Sequence, residues 1–294
     1  MTPPLGFVLL THRAPLQILR LIRKLNTMFD QPPIVIHHDF GQCALPLDEF
    51  PPNVEFVRPH LKTAWCDWSV TEATTRAIAQ MYRAPQPPRR FVFLSGADYP
   101  IKPAAQILSE LDEGNYDAQI SYELVRRGNL KTHMQVVGFG RYLTKTYDYR
   151  SLNKKLQPRM RELHISHPLL TQFLLPFHKE KLQCYVGWNW FCGNEKAAQA
   201  IIEFHRTRPA LANHYKSRLM CAEESYHHTI LCNTPGLKIL NDDLRYTDWS
   251  GGGGHPKTLG MEDLPALLAS TKHFARKFDE TNTQVLDELD AVTK

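Results

Sequence analysis

The first third of the chain alternates short apolar runs with longer stretches in which apolar residues recur every three or four positions. Residues 7–11 (FVLLT) are a continuous apolar run closed by a polar residue, the pattern of a buried strand. Over 14–28, Leu16, Leu19, Ile22 and Leu25 repeat at helical spacing. Residues 34–37 predict a second strand ending at Asp39, and 54–57 a third. Ser69 is the expected N-cap of the next helix, with Glu72 completing a capping box, and that helix runs to about Tyr82. Pro85, Pro87 and Pro88 then break the chain. Residues 91–94 predict a strand, followed by SGADYP and a helix over 103–111. This β-α-β-β-α-β-α order predicts an α/β fold with a mainly parallel central sheet flanked by helices. Ligands in such sheets bind beyond the C-terminal ends of the strands. Those ends carry Thr11-His12, His38-Asp39 and Ser95-Gly96-Ala97-Asp98.

Further on, 185–191 (YVGWNWF) reads as another strand, with Trp188 and Trp190 on one face and Asn189 on the other. Helices are expected over 194–206 and around 223–231. No internal repeat or linker is visible, so 1–294 is expected to be a single domain.

Apolar residues make up 43% of the chain, enough for a packed core, which argues against disorder. The formal charge of +5 suits phosphate-bearing or acidic ligands and is too weak alone to imply nucleic acid. That charge is uneven. Residues 125–161 hold ten Lys or Arg against one acid, Asp148, a local +9 that leaves the remainder at −4. The segment is expected to be a helical insertion, either a solvated face or a surface for an anionic acceptor or membrane headgroups. No binding motif accompanies the charge, so no nucleic-acid partner is expected. The six cysteines (43, 66, 184, 192, 221, 232) contain no C-x-x-C pair, so reduced, mostly buried thiols are expected, as in a cytosol. The N-terminus lacks a basic n-region, and no window reaches transmembrane length. The expectation is a cytoplasmic protein, at most peripheral to a membrane.

Two late segments carry the clearest chemistry. LRYTDWSGGGGHPKT (244–258) places Arg245 before four glycines, His255 and Lys257, and HFARKFD (273–279) adds Arg276 and Lys277. Cations flanking a bendable backbone suit closure over a pyrophosphate, because exposed amide N–H groups and fixed positive charge both favour phosphate oxygens.

These segments follow VEFVRPHLKTAWCDWSVTEAT, FVFLSGADYPIKP, YVGWNWF and AEESYHHTIL in one order along residues 6–279. The set resembles the branching β-1,6-N-acetylglucosaminyltransferases (core-2/I-branching) and the peptide O-xylosyltransferases, which form one glycosyltransferase family. The resemblance implies a GT-A-like nucleotide-sugar-binding fold, a UDP-sugar donor, a glycan or lipid-linked saccharide acceptor, and inversion at the anomeric carbon. It also implies metal-independent chemistry. The D-x-D motif usual in that fold is missing, with SGADYP and IHHDF the nearest strings, so no cofactor is expected. The domain would then comprise a nucleotide-binding half over 1–124, the basic insertion over 125–180, and an acceptor and pyrophosphate-binding half over 181–294.

Inverting transfer needs one carboxylate at the acceptor to take its proton. Glu224 matches the acid that serves as base in the N-acetylglucosaminyltransferases, and Glu223 beside it is expected to raise its pKa by like-charge repulsion. The plainer role for both is opening a helix, where the dipole favours acids. Asn189 stands where the xylosyltransferases carry an aspartate, and an amide cannot usefully accept the proton. Yet AEESYHHT and LRYTDW are closer in wording to the xylosyltransferases. The donor sugars therefore rank GlcNAc, then xylose, then glucuronic acid.

Arg245 and Lys277 resemble basic positions that neutralise the leaving diphosphate, with Arg276, His255 and Lys257 as second choices. Asp39 resembles an IHxD element that contacts the uridine. His12 is placed near base or ribose, and Asp98 either joins the donor site or caps its turn. Metal ligation by His37, His38 and Asp39 is disfavoured, because adjacent strand residues face opposite ways. Trp188, Trp190 and Tyr226 are candidate sugar platforms on the acceptor side, while Trp65 and Trp68 are expected to be structural. The alternative is a non-catalytic nucleotide-sugar or glycan-binding module, against which Glu224, Arg245 and Lys277 speak. The eukaryotic relatives resemble anchored Golgi proteins, whereas this sequence starts almost at its first strand. The expectation is therefore a bacterial enzyme of polysaccharide biosynthesis, working in the cytoplasm or at the inner membrane.

Overall fold

Strand β1 (Leu5–Thr11) pairs in parallel with two neighbours and is buried along nearly its whole length. The structure is a computed structural model and describes residues 2–148, 162–165, 175–216, 221–252 and 254–293. From β1 the chain continues through α1 (Pro15–Phe29), β2 (Ile34–His38), β3 (Val54–Phe56), α2 (Trp68–Met81), β4 (Arg90–Ser95), β5 (Asp98–Pro100) and α3 (Ala104–Asp112). Next come β6 (Ala118–Ile120), β7 (Glu123–Val125), α4 (His133–Tyr142), β8 (Lys145–Asp148), β9 (Glu162–Ile165) and α5 (Pro176–Lys179). Then follow β10 (Cys184–Val186), β11 (Phe191–Asn194), α6 (Glu195–Thr207), α7 (Pro209–Lys216), α8 (Tyr226–Asn233), β12 (Ile239–Leu240) and β13 (Arg245–Thr247). Helix α9 (Leu264–Ala269), β14 (Phe274–Arg276) and α10 (Gln284–Val292) complete the chain.

The central sheet has seven strands in the order β12-β6-β11-β4-β1-β2-β3, and only β11 runs antiparallel to its neighbours. This is the expected α/β architecture. Two cores follow from the alternation of side chains along the strands. Val8, Phe91 and Phe93 point to one face, against Ala77 and Ile78 of α2, Ile201 of α6 and Ile230 of α8. Phe7, Leu9, Val92 and Leu94 point to the other, against Ile18 and Ile22 of α1, Ile107 of α3 and Leu286 of α10. A smaller sheet, β13-β14-β5, sets Arg276 opposite Asp98 in register.

Several expectations change at the level of local structure. Asp67, not Ser69, caps α2: its carboxylate accepts the Ser69 N–H at 2.8 Å, while the Ser69 hydroxyl accepts from the Ala64 N–H. The YVGWNWF stretch is not one strand. It splits into β10 and β11, and residues 187–190 form the bend between them. Gly187 makes that bend possible, since its N–H donates to the Glu224 carbonyl at 2.9 Å and a Cβ there would overlap the Ser121 carbonyl. The basic segment is mixed rather than helical, with α4, the antiparallel β8–β9 pair and α5. Arg150, Lys154, Lys155, Arg159 and Arg161 lie outside the described residues.

The thiols also differ from expectation. Cys66 and Cys221, 155 residues apart, form a disulfide, while Cys43, Cys184, Cys192 and Cys232 are free. Spacing along the chain carried no sign of this pair, because the loop before α2 and the turn before α8 meet only in the folded chain.

Gly187→Ala is expected to cost about 1–3 kcal/mol, the range for overpacking a tight site. Urea unfolding should show a lower midpoint at unchanged slope. Gly254→Ala, whose methyl would meet no atom within 4 Å, is the matched control and should leave the midpoint in place.

Candidate active site

A cleft of about 850 Å³ opens at the C-terminal ends of β1 and β4. Its floor is Leu10 to Ala14 and Ser95 to Ala97, where the two buried strands run out. Residues 63–65 and 188–190, Glu223 and Glu224, Thr247 with Trp249, Gly254 to Pro256, and 276–281 form its walls. Of the expected site residues, His12, Trp188, Asn189, Trp190, Glu223, Glu224, His255, Arg276 and Lys277 are brought together here.

The two glutamates lie in a single 3-10 turn, residues 222–224, rather than in the first turn of α8. Glu223 is buried. One of its carboxylate oxygens accepts the Cys66 N–H at 3.2 Å and the other has no partner. Burial, reinforced by the charge of Glu224, pushes its pKa up to about 7. Burial also raises the pKa of Glu224, against the pull of Arg141, whose Nη1 donates to Glu224 Oε2 at 2.7 Å. Arg141 sits in α4, 83 residues before its partner.

Cations line the same cleft. Lys277 has a lowered pKa because it is part-buried and because Arg13 and Arg276 crowd it with like charge. Arg276 lies at 4.2 Å over the Trp190 ring and 3.4 Å from Asp98. His12, beside Arg13, is likewise held below the usual histidine range, first by burial and then by that guanidinium. The like-charge crowding of part-buried Lys277 and Arg276 with exposed Arg13 is relieved by an anion placed among them. Four cleft-lining residues also carry buried polar atoms without a hydrogen-bond partner: Gln17 Nε2, Asn189 Oδ1, Glu223 Oε2 and Arg276 Nε. Buried polar groups are usually paired, so these atoms are open to a ligand entering the cleft.

Aromatic rings line the mouth. Trp65 is 72% exposed, with its ring 6.0 Å from that of His255, so it is not the structural residue expected. Trp188 stacks on Trp249 at 4.9 Å and 24°, leaving both partly open to the cleft.

Other expected site residues fall elsewhere. Tyr226 is 0% exposed and packs edge-on against Trp68 inside the core, so it is no sugar platform. Trp190 is also largely core, against Phe93, and the bend at 187–190 removes the strand alternation that would align it with Trp188. Arg245 is buried behind the cleft, donating to the Phe93 carbonyl at 2.9 Å and lying over the Phe274 ring. Lys257 pairs with Asp263 at 2.7 Å and Glu262 at 3.2 Å, outside the cleft lining. Asp98 is buried beneath the cleft, accepting the Ser95 N–H and facing Arg276.

Asp39 does not reach the cleft either, because the fold uses its carboxylate in full. Burial would raise its pKa. Hydrogen bonds from the Thr63 N–H and hydroxyl, the Gln42 amide and the Gly41 N–H hold it down to about 2. Gln42 and Thr63 themselves line the cleft, so Asp39 positions that wall. His37 accepts the Leu61 N–H, and the His38 ring bridges the Thr11 hydroxyl and the Cys43 carbonyl. Among the described residues one cluster has metal-ligand chemistry, Cys66, Cys221 and Glu223, and its two sulfurs are joined to each other.

Sequence reasoning missed Arg13, Gln17, Trp249 and Arg141. Arg13 was within reach, since it follows His12 at the end of the first strand. Arg141 was not, since nothing in a run of scattered basic residues marks the one that meets an acid 83 positions on.

The Core-2/I-branching enzyme family model matches residues 5–269. With a cleft at the strand ends lined by both carboxylates and cations, that match is decisive for the class: the chain belongs to the Core-2/I-branching enzyme family, the glycosyltransferase family its motifs resemble. Among curated proteins it is similar to beta-glucuronosyltransferase GlcAT14B of Arabidopsis thaliana, at 23% identity over 68% of this chain and 43% of that one. It is also similar to beta-glucuronosyltransferase GlcAT14A of the same plant, at 34% over 26% of this chain and 17% of that one. The chain thus spans less than half the length of either. A solved structure of a putative glucose-1-phosphate thymidylyltransferase from Bacillus anthracis, in complex with a sucrose, aligns over 98% of this chain and 95% of its own, at 8% identity and a TM-score of 0.40. Among the described residues no helix is long and apolar enough to cross a membrane.

The raised pKa of Glu223 has a consequence for stability. A carboxyl whose folded pKa lies above its ordinary value keeps its proton in the folded state, so stability falls as pH rises from about 4.5 to about 7. Glu223→Gln should remove that fall. The melting temperature of the variant relative to the parent should be higher at pH 8 than at pH 5. An equal difference at both values would show that Glu223 titrates normally.

Proposed function

We propose that the chain is an inverting glycosyltransferase that moves a sugar from a UDP-sugar to a hydroxyl of a glycan or lipid-linked saccharide, with Glu224 as base. The observation that carries this reading is that one cleft is lined both by the Glu223–Glu224 turn and by the Arg13, Arg276 and Lys277 cluster. A Glu224 oxygen takes the proton of the acceptor hydroxyl as that oxygen bonds to the anomeric carbon. The bond from that carbon to the β-phosphate oxygen breaks on the far side, and UDP leaves with the electron pair. Its growing charge meets the part-buried Lys277 and Arg276, with exposed Arg13 beside them, in the manner of an oxyanion hole. This assignment moves the pyrophosphate role from Arg245, which is buried in the core, to Arg13 and its neighbours. On this reading the displacement runs without a metal.

The stacked Trp188–Trp249 pair and exposed Trp65 suit the apolar faces of acceptor sugars. GlcNAc is the first reading of the donor sugar, on the match of Glu224 and the amide at Asn189. Glucuronic acid is the second, favoured by the names of the two plant relatives and by a cationic cleft that suits a carboxylate on the sugar.

The test is UDP release from UDP-GlcNAc, UDP-xylose and UDP-glucuronic acid, each with a panel of saccharide acceptors, in EDTA and in manganese. One donor should turn over in EDTA. Glu224→Gln should lower kcat by about 10²–10⁴-fold, the range for losing a general base, and still be stabilised thermally by UDP. Lys277→Ala should lower kcat by about 10²–10³-fold. Turnover in manganese alone would overturn the metal-free step, and full activity of Glu224→Gln would overturn the base assignment.

A further inference from the structure

The basic segment supplies one side chain to Glu224. Arg141 lies in the last turn of α4, and its Nη1 donates to Oε2 of Glu224 at 2.7 Å. No other protein group is hydrogen-bonded to that carboxylate among the described residues. We infer that Arg141 is the positioning residue of the reaction: it holds one oxygen of Glu224 so that the other faces the acceptor hydroxyl, and it keeps the carboxylate ionised. The inference rests on the reading of Glu224 as base.

Three features support it. First, the backbone around Glu224 is fixed independently of its side chain. The Glu224 N–H donates to the Cys221 carbonyl and the Gly187 N–H to the Glu224 carbonyl, both at 2.9 Å, while the Cys221 N–H donates to Cys66. The turn therefore needs no ion pair to hold it, and the side chain is left for Arg141 to orient. Second, the helix that carries Arg141 is anchored to the same turn. Thr132 and Gln135 cap its N-terminus, and the Tyr142 hydroxyl, next to Arg141, donates to the Cys221 carbonyl at 2.8 Å. The guanidinium is thus delivered at a set height. Third, the electrostatics leave the carboxylate dependent on it. Glu224 faces Arg141 from α4, the Glu223 carboxyl from its own turn and the Tyr142 phenol. Burial favours a protonated Glu224, and Arg141 is the counterweight. The cleft cations Arg13 and Arg276 act on Lys277 instead. Without Arg141 a larger share of the base would carry a proton near neutrality and could not accept another.

The test is carboxyl ¹³C NMR of the full chain labelled at glutamate, with the Glu224 resonance assigned by its loss in Glu224→Gln. Arg141→Gln should move the Glu224 midpoint up by about one pH unit, the lower end of the effect of an adjacent opposite charge. Arg141→Lys should return most of that shift. On whichever UDP-sugar turns over, the acidic limb of kcat/KM should move by the same amount, and lost activity should recover at higher pH. An unmoved midpoint in a folded Arg141→Gln overturns the inference, as does lost activity with an unmoved limb. These failures are distinct from failure of the base reading, which would appear as an active Glu224→Gln.

Discussion

The parallel pairing of β1 with β4, packed on both faces, is the constraint from which the cleft follows. Side chains along these strands alternate between two apolar cores. Neither strand has room for a working polar group until it ends. At those ends the chain turns through Thr11 to Ala14 and Ser95 to Ala97, and the backbone opens to solvent on one edge of the sheet. Every later element that contributes to the site is brought to this edge by a contact with the sheet or with its helices. Strand β11 inserts antiparallel beside β4 and delivers the bend at 187–190, while the β13-β14-β5 sheet delivers Arg276 and Lys277.

The electrostatics of the cleft are organised by separation. Acids gather on the 222–224 turn, where burial raises both pKa values and the charge of Glu224 adds to the rise at Glu223. Cations gather at the end of β14 and after β1, where burial and then crowding lower the pKa of Lys277. Each cluster is costly alone, since like charges are brought together with little water. A proton acceptor on one wall and an anion site on the other is what a displacement between a neutral hydroxyl and a diphosphate ester requires. The charges that look strategic in the sequence but are already paired, Asp39 and Lys257, serve the fold instead, and Asp98 faces Arg276 beneath the cleft.

The order of elements along the first third was legible because β1, β2 and β4 are built on apolar runs and α1 has a clean helical period. The bend within YVGWNWF was not, because a run of aromatics reads as a strand unless the close approach of the Ser121 carbonyl to Gly187 is known. Lys277, His255 and Glu224 were legible through the order of their motifs. Arg245 was misplaced for a physical reason: its strand lies beside β14, and its guanidinium turns inward to the Phe93 carbonyl rather than outward. Tyr226 was misplaced because α8 buries its whole first turn. The Cys66–Cys221 bond and the Arg141–Glu224 pair join segments 155 and 83 residues apart, and no local pattern encodes such meetings.

The central claim is that this one cleft holds the diphosphate against Arg13, Arg276 and Lys277 while Glu224 faces the acceptor. The most direct measurement is a crystal structure of the chain with UDP. The account requires the diphosphate oxygens within hydrogen-bond reach of those cations, with open space between them and Glu224 wide enough for a sugar. UDP bound away from the β1 and β4 ends, or lying against Glu224 itself, would contradict it.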